Sequence, residues 1–338
     1  MTTIKDVAKY AGVSPATVSY VINNNSDEVG YLTQQKVLEA IKTLNYQPNV
    51  NARSLKSNIT QNIGVILMHT EIKQLILDPW TMQLLAGILD VSRELGYSIL
   101  IDFIVEWNEE NYARIFKQKK TDGTIILGAA IADKIFEKLT SDRVPHLFID
   151  RYTEDTKTNC ICVDNWGGAK KAVQYLSSLG HRKIAYIGGT EEFSSGFYRK
   201  KGYCDTMNEL NLAYDSNYIC SGKWTEESGY NSLIRLFALD SPPTAVFCAN
   251  DRIAIGVLQA AQDKKIDVPK ELSVIGFDNS QFSAFTTPGL TTLAVPIYEM
   301  GKFAANQIIA INKGKKFFRK EIFETDLIIR DSTAIPEK

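Results

Sequence analysis

MTTIKDVAKYAGVSPATVSYVINN (residues 1–24) reads as two short helices joined by a tight turn. Apolar residues Ile4, Val7, Ala8 and Ala11 recur at i, i+3, i+4 and i+7, the spacing of one helix face. Gly12 stops that helix, because a residue without Cβ takes the left-handed conformation that turns the chain. Ser14 offers its side-chain oxygen to orphan backbone amides, and Pro15 has the fixed φ of a first helical position. The second helix, Pro15 to about Ile22, carries Val18 and Val21 or Ile22 inward and leaves Ala16, Thr17, Ser19 and Tyr20 outward. A helix-turn-helix lays such a second helix in the major groove of DNA. An ordinary helix pair satisfies the same spacing, so the rest of the chain has to decide between the two.

Thr33 to Asn45 reads as a third helix with Thr33 as its cap and Val37, Ala40, Ile41 and Leu44 on its apolar face. Residues 1–46 are therefore expected to form a small three-helix headpiece. Residues 47–61 are rich in Asn and Ser and read as a linker. Within it, Asn49–Lys56 is long enough for two helical turns, which are marginal in water without support.

From residue 62 the pattern alternates. Strand-like runs at Ile63–Met68, Ser98–Ile104, Thr124–Leu127, His146–Ile149, Ile184–Ile187, Ala245–Cys248, Leu272–Phe277 and Leu290–Val295 are separated by amphipathic stretches. Continuous β-branched runs alternating with helices indicate parallel sheets covered on both faces, an α/β class. Roughly 275 residues exceed the usual size of one such core, so two doubly wound lobes are expected. The similar endings Phe148-Ile149-Asp150 and Gly276-Phe277-Asp278 suggest that the lobes are structurally related.

Composition narrows the classes. The 338 residues carry a formal net charge of −1 with 44% hydrophobic content, so bulk charge does not draw this chain to nucleic acid. Its first 60 residues hold six Lys/Arg against four Asp/Glu. DNA binding must then rest on placement, on helix N-termini and on two copies acting together. The chain starts in a polar, capped helix, which does not read as a signal peptide. No apolar run approaches the ~18 residues of a membrane span. A cytoplasmic protein is expected. Five cysteines without a CxxC pair and three scattered histidines suit buried thiols better than zinc, and no metal or cofactor is expected.

The stretches TIKDVAKYAGVS, ATVSYVIN and YQPNVNARSLK (Tyr46–Lys56) closely resemble the headpiece of the LacI/GalR family of bacterial transcription regulators. The resemblance continues through Cys162-Val163-Asp164-Asn165-Trp166-Gly167-Gly168, Leu179–Gly189, Phe247-Cys248-Ala249-Asn250-Asp251, Val274–Asn279 and Thr287–Thr292, covering nearly the whole chain. It implies a helix-turn-helix headpiece on a two-lobed core that resembles periplasmic sugar-binding proteins. Lobe 1 is then expected over about 62–161 with 292–320, and lobe 2 over about 162–291 with 321–338.

The resemblance also implies roles. Residues 47–61 become a hinge helix on the operator, with Leu55 wedged between base pairs in the minor groove and Asn51, Arg53 and Lys56 beside it. In the headpiece, Ser14, Pro15, Ala16, Thr17, Ser19, Tyr20 and Asn23 match DNA-contacting positions. Thr17 and Ser19 suit phosphates, whereas Pro15, Ala16 and the Tyr20 ring suit thymine methyls. Tyr20 stands where relatives often carry Arg or His, so the operator half-site is expected to depart from the family consensus. In the core, Asp150, Arg199, Trp224, Asn250 and Asp278 match effector-contacting positions of sugar-responsive relatives. Their types fit independently: carboxylates, an amide and a guanidinium serve hydroxyls, and an aromatic face stacks on sugar C–H surfaces. Asp164 and Asp251 read equally as caps or structural ion-pair members. The loop His69–Trp80 is longer and more apolar than the family's usual one and brings Asp78 and Trp80 as lesser candidates, with core packing the expected role for Trp80.

Motifs for nucleophilic, phosphate-binding or zinc-dependent catalysis are absent from the sequence. The sequence therefore reads as a non-enzymatic, operator-binding repressor that works as a homodimer on a pseudo-palindromic site in double-stranded DNA, controlled by a small molecule of carbohydrate type. A sugar-binding protein without a DNA role, or a cytosolic sugar-modifying enzyme, is the alternative. Whether the effector induces or corepresses stays open. Asp331–Lys338 is too short for a C-terminal heptad zipper.

Overall fold

The computed structural model describes residues 2–22, 29–47, 59–68, 78–128, 130, 135–152, 158–212, 215–314 and 320–337. The chain divides into two compact units, Met1–Thr60 and Gln61–Lys338.

In the first unit, α1 (Ile4–Ala11) opens on a reciprocal cap between Thr3 and Asp6 and closes on Gly12, whose φ is 67°. Helix α2 (Pro15–Ile22) is capped by Ser14, whose Oγ accepts from the Thr17 amide at 3.1 Å. Val18 and Val21 bury against Val7 and Ala8 and against Val37 and Ala40 of α3 (Tyr31–Thr43), while Ile22 packs at the margin. The third helix begins two residues before the expected Thr33 cap, and Gly30 stands at its N-cap without a side-chain bond. Gln34 Nε2 donates to the Val29 carbonyl at 2.7 Å instead, tying down the chain as it enters the helix. The expected hinge segment, with Asn51, Arg53, Leu55 and Lys56, and also Asn23, lie outside the described residues.

The second unit holds two sheets. Strands β1 (Asn62–Met68), β2 (Ser98–Ile104), β3 (Gly123–Leu127), β4 (His146–Ile149), β5 (Cys160–Val163) and β11 (Lys320–Phe323) form the first, in the order β2-β1-β3-β4-β5-β11, all parallel. Strands β6 (Ile184–Gly188), β7 (Ile219–Ser221), β8 (Ala245–Cys248), β9 (Ser273–Asp278), β10 (Thr291–Ala294) and β12 (Asp326–Ile328) form the second, in the order β7-β6-β8-β9-β10-β12, with β12 antiparallel. The two sheets thus repeat one topology, a doubly wound order that binds ligands beyond its strands' carboxyl ends. In each, the fourth strand of that order runs out at an aspartate, Asp150 just after β4 and Asp278 as the last residue of β9.

The helices between them are α4 (Pro79–Glu94), α5 (Glu109–Tyr112, running into a π turn at Ala113–Lys117), α6 (Ile135–Ser141), α7 (Asn165–Ser178), α8 (Ser194–Glu209), α9 (Glu226–Phe237), α10 (Asp251–Lys264) and α11 (Ile297–Asn312). Most strand residues are fully buried, as layers on both faces require. Helices α4 and α11 cross with their backbones touching: a Cβ on Gly87 would lie 2.1 Å from the Tyr298 carbonyl oxygen, and one on Gly301 2.2 Å from that of Leu84.

The chain crosses between lobes three times, and the crossings fall slightly apart from the expected boundaries. Strand β5 stays in the first sheet, so the first crossing follows Val163 rather than residue 161. Strand β10 belongs to the second sheet, where Thr292 faces Gly276 and β12, so the return to lobe 1 follows at Pro296 rather than 292. Residues 320–328 form two strands, β11 beside β5 and β12 beside β10, with Thr325 fully buried where the chain passes between them. Long-range pairing decides these points, and no local periodicity carries it.

Candidate functional site

On α2 the capping bond and the two buried valines fix which side chains face outward. Pro15, Ala16 and Tyr20 are exposed, and Thr17 and Ser19 are half-exposed. Ser14 Oγ also meets Thr17 Oγ1 at 2.9 Å, so both hydroxyls serve the cap as well as the surface. Four of the positions expected to touch DNA, Pro15, Ala16, Ser19 and Tyr20, therefore form one small, uncharged face, and Ser14 and Thr17 stand at its leading edge.

In the core, both lobes bring residues to the carboxyl ends of their sheets. Asp150 and Asp278 are held with φ of 53° and 106°, left-handed backbone that non-glycine residues rarely adopt. Such positions cost about 1–3 kcal/mol and persist where the surroundings enforce them, often at ligand sites. Asn165, the first residue of α7, links the lobes: its Nδ2 donates to Asp150 Oδ1 at 3.0 Å and its Oδ1 accepts from Arg199 Nε at 2.7 Å. Arg199, in the second turn of α8 and 3% exposed, also donates to the Ala249 carbonyl and stands 3.5 Å from Asp278 Oδ1. Its guanidinium carbon lies 3.7 Å from the Phe277 ring centre and 5.8 Å from that of Trp224. Trp224, half-buried, lies flat on Gly189, where a Cβ would come within 2.1 Å of the indole.

Asn250 caps α10 by accepting from the Ile253 amide at 2.9 Å, directly after the carbonyl that receives Arg199. Asp251 is structural: its oxygens accept from the Ser280 amide at 2.6 Å and from Thr292 Oγ1 at 2.5 Å, bracing the turn that follows Asp278. Asp164 is the N-cap of α7, accepting from the Gly167 amide at 2.8 Å. Asp78 caps α4 on the first lobe, accepting from the Thr81 amide and hydroxyl at 3.1 and 3.0 Å, while Trp80 packs against the core. The structure thus gathers Asp150, Arg199, Trp224, Asn250 and Asp278 where the carboxyl ends of the two sheets meet, with Asp78 contributed by the first lobe. The Tyr152 amide donates to Ser194 Oγ at 2.8 Å, a further tie between lobes.

Burial pushes the Asp278 carboxyl well above the ordinary range; Arg199 opposes this, while Asp251, Asp78 and Asp150 add to it. Desolvation raises Asp150 and Asp78 as well, and raises Asp251 to about 6. Asp278 Oδ1 is buried and accepts no hydrogen bond, although buried polar atoms nearly always do. Sequence reasoning missed Asn165 as a site residue, and Ser195, which bonds Asp150. A polar residue at a first helical position, one residue beyond a strand and next to the Asp164 cap, was the signal available for Asn165.

Comparison with known proteins gives the following. Residues 3–49 match the bacterial regulatory proteins of the lacI family, and residues 173–333 match the periplasmic binding protein-like domain. The chain is 35% identical to the HTH-type transcriptional repressor PurR of Histophilus somni (strain 2336), over 98% of this chain and 99% of that protein. Among solved structures, the lac repressor dimer bound to operator and the anti-inducer ONPF aligns with a TM-score of 0.87 at 26% identity, over 98% of this chain and 99% of the other. The complex of the transcriptional regulator CelR with cellobiose aligns with a TM-score of 0.74 at 26% identity, over 98% of this chain and 100% of the other.

Proposed function

The chain belongs to the lacI family of bacterial regulatory proteins, and from that membership we propose a cytoplasmic transcriptional repressor whose hold on an operator is set by a small carbohydrate bound between the core lobes. The observation that carries the effector half is Asp278: a buried carboxylate on left-handed backbone, 3.5 Å from a fixed arginine, with an oxygen that accepts no hydrogen bond from the described residues. The CelR–cellobiose complex supports a saccharide in such a cleft. Arg199, Asp150, Asn250 and Trp224 are the proposed companions of Asp278, and the cleft binds rather than catalyses.

The DNA half rests on α2, with Ser14, Pro15, Ala16, Thr17, Ser19, Tyr20 and Asn23 as its contacts, and on the segment with Asn51, Arg53, Leu55 and Lys56. A face so poor in charge gains useful affinity only from two headpieces on a pseudo-palindrome, so the working form is a homodimer. Its interface is the outer side of α4 and the free edge of the first sheet, where Met82, Leu89, Leu100, Ile101 and Val105 are all exposed. The lac repressor structure is a dimer on its operator, in support of this reading. Effector binding then shifts the lobes and sets whether the two Asn49–Lys56 segments pair as helices. A coupling of about 1–3 kcal/mol changes operator affinity roughly 5–150-fold.

Anisotropy titrations of the full chain against promoter fragments test this. One fragment should bind at least about 10³-fold tighter than random duplex, and a saccharide should shift that affinity. Leu55→Ala should weaken specific binding, and Asp278→Ala should remove the saccharide response. Equal binding to every duplex, with or without saccharides, overturns the proposal.

A further inference from the structure

The cleft is lopsided in its hydrogen-bonding capacity, and this narrows what can enter it. Three guanidinium groups act on its carboxylates, and all three are committed within the protein. Arg199 gives Nε to Asn165 and Nη1 to the Ala249 carbonyl and Asp278, with Phe277 against its plane. Arg252 forms a two-pronged pair with Glu226 at 2.7 and 2.8 Å. Arg330 holds the Leu290 carbonyl, Ser283 and, at 2.7 Å, Asn279. The acceptors are in the opposite condition. Asp278 is 8% exposed, and its buried Oδ1 stands at ion-pair distance from Arg199, 3.5 Å, without accepting a hydrogen bond. Asp150 faces it from the equivalent strand end of the other lobe, and Asp78 adds a third carboxylate on the lobe 1 wall. Burial and then the neighbouring carboxylates push the Asp278 carboxyl above its ordinary range.

The geometry points to an effector that enters as a hydrogen-bond donor without negative charge, a neutral or amine-bearing saccharide, with Asp78 as the residue that enforces the choice. This rests on the carbohydrate reading above. An anionic sugar would bring a further charge among three carboxylates, with no uncommitted cation among the described residues beside them to receive it, and like charges brought together out of water are rejected strongly. Asp78 is the suitable discriminator because it belongs to the first lobe, so its carboxylate and that of Asp278 approach a ligand from opposite walls.

Matched sets built on glucose, galactose and mannose test the inference: the neutral hexose, the 2-amino sugar, the uronate and the 6-phosphate of each, together with cellobiose. The full chain is melted with each compound, and responders are titrated by calorimetry. For any skeleton that binds, the neutral or amino member should bind at least about 100-fold tighter than its uronate or phosphate. Asp78→Asn keeps a side chain that caps helices equally well, and it should shrink that ratio about tenfold while leaving the melting temperature of the free protein nearly unchanged. A uronate or phosphate that binds as tightly as its neutral partner overturns the inference, as does a ratio that Asp78→Asn leaves untouched. Protection by nucleobases and by no saccharide of any charge would instead remove the carbohydrate reading.

Discussion

Asp251, at the first turn of α10, titrates near 6 because burial disfavours its charge more than Thr292 and Ser280 favour it. The folded value lies above the ordinary 3.8, so the sign follows directly. Below pH 4 the group is protonated in both states and is neutral to stability. As pH rises the unfolded chain loses its proton first, and stability falls until the folded group also ionises near 6; above that the loss is constant. Asp251→Asn does not titrate. Its stability relative to the parent chain should therefore rise by about 1 kcal/mol between about pH 5 and about pH 7, read from urea denaturation midpoints. A difference independent of pH would show that the carboxyl is not raised. Asp278 loses the push of Asp251 in the variant, so its folded form is raised less and adds to the rise with the same sign.

At the scale of elements, the crossing of α4 and α11 depends on the missing side chains of Gly87 and Gly301. Gly301→Ala forces a methyl against the Leu84 carbonyl, and the helices must separate. Overpacking of this kind costs about 1–3 kcal/mol, and thermal denaturation should show it, whereas Gly314→Ala, with nothing near its Cβ, should reveal only the cost of a left-handed position. Equal losses at both sites would mean that the helices can part freely. Elements of this kind were legible in the sequence to the extent that their signals are local. The helix faces of α1 and α3, the Ser14 cap and the buried strand runs all stand within a few residues of one another. The start of α3 was misplaced because Gln34 reaching back to Val29 substitutes for a cap. In the cleft, Asp150, Arg199 and Asp278 were visible as polar residues beside apolar strands. Asn165 was not, since its meaning depends on partners 15 and 34 residues away that only the fold brings near. The division of residues 320–328 between two sheets is illegible in the sequence for the same reason, since each half finds its partner strand far away in the chain.

For the whole molecule, the exposed apolar residues on α4 and β2 carry the prediction about assembly. Leu89→Asp places a charge in the proposed interface and should convert a dimer to a monomer in light scattering, with specific operator affinity falling at least about 100-fold, since a bound pair of headpieces is lost. A variant that remains dimeric moves the interface elsewhere. The three passages of the backbone between lobes carry a different consequence, for synthesis. The last strand of each sheet comes from residues 320–328, and α11, which covers the first sheet, follows the second sheet's fifth strand. A ribosome that has delivered some 290 residues has thus released a complete headpiece and neither lobe whole. Early in its life the nascent polypeptide owns a DNA-gripping end with no regulator attached, and only translation of residues 297–328 closes both halves, nearly at once.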